Sequence, residues 1–226
     1  MNKVAAVIVA GGSGSRMGTK VKKQYLKLKD KEILVHTVER FSTITMIEEI
    51  IVVTGQEDIE YVTKLLKEDY KLDKVKKVVA GGKERQDSCY NGIQSVSNDV
   101  DYIMIHDGAR PLISKKCILD SIDKVKEHKA CIVAVPVKDT IKEADDTGKV
   151  THTPKRETLW SVQTPQTFEK ELIIKAYETA FNNHIKATDD SMIVEAMGHP
   201  VYIVQGEYTN IKITTPEDLL LAERLV

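Results

Sequence analysis

Cysteine is scarce in this chain. Cys89, Cys117 and Cys131 are three among 226 residues, scattered and with no Cys-x-x-Cys pair. That argues against a disulfide framework or a thiolate zinc site and fits a reducing cytoplasm. Net charge is nearly absent as well. Lys and Arg number 33 against 34 Asp and Glu, a balance of −1, which gives no reason to expect a general nucleic-acid or membrane-surface binder. Long apolar runs are also missing. The run that opens the chain, Val4 to Ala10, falls far short of the roughly 20 residues that cross a bilayer. No small-residue cleavage site follows it where a secretory signal would need one. Internal repeats, low-complexity tracts and disordered linkers are lacking too. One cytoplasmic domain over residues 1–226 is the expectation.

What is present alternates. Apolar strands are expected at Val4–Ala10, Glu49–Thr54, Val75–Ala80, Tyr102–Ile105 and Ala130–Val135, with helices at Ile33–Phe41, Asp58–Glu68, Glu84–Val96 and Lys115–Glu127 between them. Continuous apolar strands separated by helices signal a parallel sheet covered on both faces. The fold class is therefore α/β, doubly wound and mostly parallel, with ligands beyond the carboxyl ends of the strands. After Pro136 the alternation stops. Residues 137–159 read as a polar β-hairpin arm, with pieces at Thr140–Glu143 and Lys149–His152 around Ala-Asp-Asp-Thr-Gly, strong turn chemistry. A hairpin of this length seldom folds alone, so it is expected to lean on another surface. Helices Lys170–Phe181, Ser191–Met197 and Pro216–Leu225 and a strand at Val201–Val204 complete the pattern.

The segments that could carry chemistry all follow strands. In the first, Ala10, Gly11, Gly12 and Gly14 precede Arg16 and Lys23. Glycines let backbone amides approach an anion, and the two cations could neutralise phosphate oxygens. A dinucleotide fingerprint would need a third glycine where Met17 stands, and an acid after "IIVVTGQ". A tight strand-to-helix turn is the plain alternative. Lys20 and Lys22 read as a solvated face. In "AGGKERQDSCYNG", Ser88 and Asn91 could touch a nucleobase or ribose edge, or merely serve the helix start. In "IHDGARP", Asp107 suits a magnesium ion in a nucleotide enzyme, or it pairs with Arg110; His106 reads as packed and hydrogen-bonded rather than as a base. "LWSVQTPQTF" reads as a fixed turn closing a pocket, with Trp160 as buried core. Thr188, Asp189 and Asp190 read as a helix cap. Lys212, just before Thr215 and Pro216, is either solvated or a phosphate ligand.

Taken together, "AGGSGSRMG", "KKQYL", "GGKERQDS", "HDGARP", "DTIK", "LWSVQTPQ", "TDDSMIVE" and "NIKITTPEDL" span nearly the whole chain. In that order they resemble the sugar-phosphate cytidylyltransferases that act on 2-C-methyl-D-erythritol 4-phosphate in the non-mevalonate isoprenoid route. The resemblance implies magnesium-dependent transfer of CMP from CTP to a sugar-alcohol phosphate, with release of pyrophosphate. It implies that Arg16 and Lys23 stabilise charge at the α-phosphorus. Thr140, Arg156 and Lys212 would hold the acceptor, and Asp107 the metal. Ala10, Gly11, Gly12, Gly82 and Ser88 would contact CTP, and Gly108, Arg110, Thr164 and Thr188 would complete the substrate contacts. It also implies a homodimer in which each arm serves the partner's pocket. Two departures stand out: Lys22 where many members have proline, and Gly108 where they commonly have alanine. The Ala-Gly-Gly form of the first loop also occurs in ribitol-5-phosphate cytidylyltransferases, the nearest alternative. A non-catalytic nucleotide-binding module on the same fold is the other.

Overall fold

The computed structural model describes residues 2–12 and 21–226. Its centre is a seven-stranded sheet. The strands are β1 (Val4–Val9), β4 (Ile47–Thr54), β5 (Val75–Ala80), β6 (Tyr102–Asp107), β7 (Ala130–Pro136), β10 (Trp160–Glu169) and β11 (Tyr202–Gln205). They lie in the order β11-β7-β10-β6-β1-β4-β5, and β10 alone runs antiparallel to both its neighbours. Two short pairs stand outside this sheet: β2 (Lys27–Leu28) with β3 (Lys31–Glu32), and β8 (Glu143–Ala144) with β9 (Val150–His152).

The period-two alternation of a strand explains how both faces are covered. From β1, Val4, Ala6 and Ile8 pack with Val35 and Val38 of α1 (Ile33–Ser42) and with Ile118 and Ile122 of α4 (Lys115–His128). Ala5 and Val7 face the other way. They pack with Cys89 and Ile93 of α3 (Arg85–Gln94), with Phe168, and with Ile173 and Ala176 of α5 (Lys170–Asn182). All five of these β1 residues are fully buried. The segment expected as one helix over Asp58–Glu68 is instead three pieces. A 3-10 turn, Gln56–Asp58, leads into α2 (Ile59–Thr63), which widens into a π turn over Lys64–Asp69. The last helices are α6 (Asp190–Ala196) and α7 (Pro216–Leu225). Thr215 caps α7 in a capping box with Asp218, and Pro216 occupies the first turn, as that residue pattern predicts.

The largest correction concerns "LWSVQTPQTF". It is not a turn but the ten-residue β10, whose register shifts between Val162 and Gln166. Polar residues (Gln163, Thr164, Gln166, Thr167) fill its buried stretch, which is why no apolar run announces it. Trp160 is half-buried rather than core. The arm is present, but its paired strands are shorter than expected, and residues 138–153 are exposed throughout.

Candidate active site

A cavity of about 460 Å³ opens where β1, β5 and β6 end. Its lining includes Ala10, Gly11 and Gly12 after β1, Gly82, Arg85 and Ser88 after β5, and Asp107 at the end of β6. Lys23 and Lys212 reach it from segments far apart in the chain. Parallel strands present their carboxyl ends on one edge, so loops distant in sequence converge there.

The first loop is pinned from below. Gln24, nearly fully buried, donates through Nε2 to the carbonyls of Ala10 at 2.6 Å and Gly12 at 3.2 Å. Gln24 lies in a 3-10 turn, Lys23–Tyr25, held on both sides. The Tyr25 hydroxyl lies 2.6 Å from Thr54 Oγ1 and donates to Asp58 Oδ2 at 3.0 Å. Lys22 is not merely solvated. Its ammonium pairs with Asp58 at 2.6 Å and also with Glu57. Lys23 is thus carried on a fastened turn. Arg16 and Lys20 lie outside the described residues.

After β5 the chain makes a close turn against α3. The Gly82 amide donates to Ser88 Oγ at 3.0 Å, and that hydroxyl donates to the Glu84 carbonyl at 3.1 Å. A Cβ on Gly82 would lie 2.2 Å from Asp87 Cβ, so a side chain there is excluded. Glu84 and Asp87 form the capping box of α3. Ser88 is therefore a tie across the turn rather than the cap. Asn91 donates to the Ala80 carbonyl at 3.1 Å.

Asp107 is the electrostatic centre. Lys212 Nζ lies 2.9 Å from Oδ2, Arg110 Nε 3.3 Å from Oδ2, and Arg85 Nε 3.7 Å from Oδ1. Burial opposes ionisation, but Lys212, then Arg85, then Arg110 hold the carboxyl well below the usual carboxylate range. Arg85 was not singled out by sequence reading. Its guanidinium also pairs with buried Asp190 at 2.8 Å, and Asp190 accepts the Tyr177 hydroxyl at 2.6 Å. The available signal was position, three residues after a Gly-Gly that follows a strand. His106 is packed, as expected. Burial lowers its pKa to about 3, and it lies between the Thr164 hydroxyl at 3.0 Å and the Arg110 carbonyl at 3.2 Å.

The remaining expected residues fall outside the lining. Gly108 abuts the first loop, its amide donating to the Val9 carbonyl at 2.8 Å. Thr164 Oγ1 accepts the Asp107 amide at 3.1 Å. Arg110 faces Asp107 and the Asn210 carbonyl. Thr188 is exposed and does not cap α6; Asp189 does, accepting from the Met192 amide at 3.0 Å. Thr140 and Arg156 lie on the exposed arm, where Arg156 donates to the Lys138 carbonyl at 3.0 Å.

Among the described residues no cluster of three or more His, Cys, Asp or Glu could cage a metal. Asp107, on the lining, is a carboxylate of the kind that joins magnesium, with its several waters, to substrate phosphates, and here both its oxygens already face Lys212, Arg110 and Arg85. No helix among the described residues is long and apolar enough to cross a membrane.

Comparison with known proteins gives a single direction. The sequence model described as 2-C-methyl-D-erythritol 4-phosphate cytidylyltransferase matches residues 4–226. The protein of that name from Alkaliphilus oremlandii is 51% identical over 226 residues, covering 100% of this chain and 96% of that one. Its counterpart from Caldanaerobacter subterraneus subsp. tengcongensis is 49% identical over 220 residues, covering 97% of each. The crystal structure of 4-diphosphocytidyl-2C-methyl-D-erythritol synthase from Anaerococcus prevotii superimposes with a TM-score of 0.87 at 33% identity, covering 99% of this chain and 97% of that one. That of the Francisella tularensis cytidylyltransferase gives 0.84 at 29% identity over 100% of both.

Proposed function

The chain belongs to the 2-C-methyl-D-erythritol 4-phosphate cytidylyltransferase family, and from that premise we propose how its cavity divides the work. The enzyme joins CTP to 2-C-methyl-D-erythritol 4-phosphate, giving 4-diphosphocytidyl-2-C-methyl-D-erythritol and pyrophosphate, in isoprenoid precursor synthesis. The matches favour this acceptor over ribitol 5-phosphate. The observation that carries the mechanism is the convergence of Lys23, Lys212 and Asp107 on one cavity below a glycine loop.

The nucleophile is a phosphate oxygen that is already anionic, so the reaction needs no general base. Its barrier is repulsion between anions together with alignment of the attacking oxygen. Fixed cations answer both, and one such contact commonly contributes about 3 kcal/mol to transition-state stabilisation. The backbone of Ala10, Gly11 and Gly12, with Gly82 and Ser88, receives CTP. Lys23, with Arg16, acts where charge grows at the α-phosphorus. Lys212 receives the acceptor phosphate, and Gly108, Arg110, Thr164 and Thr188 border or support that half. Asp107 would hold Mg2+, which when bound supplies charge neutralisation at the phosphate oxygens.

The arm completes the site from a second copy. Residues 138–153 are exposed, and Ile141, Val150 and Val162 present apolar surface at 40–54% exposure. A thin, exposed hairpin needs a partner surface. In a homodimer, Thr140 and Arg156 of one chain would serve the acceptor pocket of the other. The protein works in the cytoplasm, consistent with three buried free thiols.

Pyrophosphate release is the direct test. It is expected with CTP, magnesium and 2-C-methyl-D-erythritol 4-phosphate, and to fall steeply with UTP or ribitol 5-phosphate. Release at background level with the proper pair would overturn the activity. Equal rates with ribitol 5-phosphate would overturn the acceptor assignment.

A further inference from the structure

Lys212 stands on a segment, residues 206–215, with no regular secondary structure between β11 and α7. A long side chain on such a segment is precise only if the backbone beneath it is fixed. Ile213, fully buried, holds one side of it, its amide donating to the Ala109 carbonyl at 2.9 Å, and Asn210 holds the other. Asn210 is fully buried. Its Nδ2 donates to the Thr164 carbonyl at 2.9 Å and to Gln163 Oε1 at 3.1 Å. Its own carbonyl accepts Arg110 Nη1 at 2.8 Å, while Arg110 Nε reaches Asp107. Gln163 returns the contact, donating to the Glu207 carbonyl at 2.9 Å.

The Lys212 segment is therefore tied to β10 at Glu207 and Asn210 and, through Arg110, to the carboxylate that Lys212 itself contacts. Asn210 Oδ1 is buried with no partner. An unpaired buried acceptor costs stability, whereas a leucine of similar size would instead leave the Thr164 carbonyl and Gln163 Oε1 without this donor. The amide makes its side-chain bonds through Nδ2 alone.

We propose that Asn210 is a positioning residue for acceptor binding, acting through Lys212. It sets the distance of the lysine from Asp107 by clamping residues 207–210 to β10. This rests on the assignment of Lys212 to the acceptor phosphate, and a double-mutant cycle separates the two claims. The cycle compares wild type, Asn210→Leu, Lys212→Ala and the double variant by kcat/KM for the acceptor at saturating CTP, with KM for CTP alongside.

Asn210→Leu is expected to lower acceptor kcat/KM by roughly 10- to 100-fold, with little change in KM for CTP. In the Lys212→Ala background the same substitution is expected to change it less than about twofold. A residue that only supports folding would lower activity by the same factor in both backgrounds. Such additivity, or wild-type kinetics for Asn210→Leu, overturns the positioning role while leaving Lys212 in place. A Lys212→Ala enzyme with unchanged acceptor kinetics overturns the assignment of Lys212 instead. Gln163→Leu weakens the clamp from its other side and keeps the Thr164 bond, so the cycle does not depend on Asn210→Leu folding.

Discussion

Lys23→Ala is the sharpest test at the scale of single residues. It is expected to lower kcat by about 100-fold or more, with the circular dichroism and unfolding midpoint of the wild type. In the proposed mechanism its charge acts at the transition state, whereas its turn is held by Lys22, Gln24 and Tyr25. A near-wild-type kcat would remove Lys23 from the chemistry. Cys131 makes a different prediction, about pH. Burial pushes its thiol from the ordinary 9.0 up to about 12. As pH rises above 9 the unfolded chain loses that proton before the folded one does. The stability that burial of the neutral thiol contributes is thus full below pH 9 and declines through the window from 9 toward 12. The slope is up to about 1.4 kcal/mol per pH unit from this group. Urea unfolding from pH 8.5 to 10.5 under reducing conditions should show it, and Cys131→Ala should flatten that part. An unchanged slope would sink the assignment.

Packing of helix on sheet yields a further prediction, at the scale of elements. Gly92 of α3 lies so near β1 and β4 that an added Cβ would meet Val7 Cγ1 at 2.4 Å and Val53 Cγ2 at 2.7 Å. Gly92→Ala must push α3 outward, at a cost of about 1–3 kcal/mol, despite the better helix propensity of alanine. Because α3 carries Arg85 and Ser88 into the cavity, KM for CTP should rise together with the loss of stability. Unfolding and initial-rate measurements would check both, and a stabilised variant would contradict the packing. Elements with strong periodicity were legible in the chain. Val75–Ala80 and Pro216–Leu225 have the bounds their residues suggested, and β1 misses by one residue. β10 was not legible because its buried residues are held by hydrogen bonds to distant partners. Gln166 binds the α6 amides of Asp190 and Ser191, and Asn210 binds Gln163 and Thr164. Nothing local records such bonds. The same holds for Arg85, whose role depends on two acids, Asp107 and Asp190, that only the fold brings to it.

Subunit exchange tests the site across the whole molecule. If Thr140 and Arg156 serve the partner's pocket, mixing an Arg156→Ala chain with a Lys23→Ala chain should restore activity. Random exchange puts both lesions at one pocket of the hybrid and leaves the other intact. Recovery near a quarter of the wild-type rate is then the expected order of magnitude, read in mixed and separately purified samples. No recovery after verified exchange would remove the crossed arm. Arg156→Ala alone should raise KM for the acceptor more than KM for CTP.

The reversed strand has one further consequence. Because β10 runs against its neighbours, it begins at the edge where β7 ends, and Trp160 lies directly across from Pro136 in the ladder. The arm leaves and re-enters the sheet at adjacent points, so it behaves as an insertion rather than as a connection the sheet depends on. Lineages can lengthen, shorten or re-sequence it without re-laying a single core strand. If the arm pairs two copies and carries Thr140 and Arg156 to the partner's pocket, arms grafted between distant relatives should change the mate and the acceptor contacts together while leaving the strands of the sheet as they were.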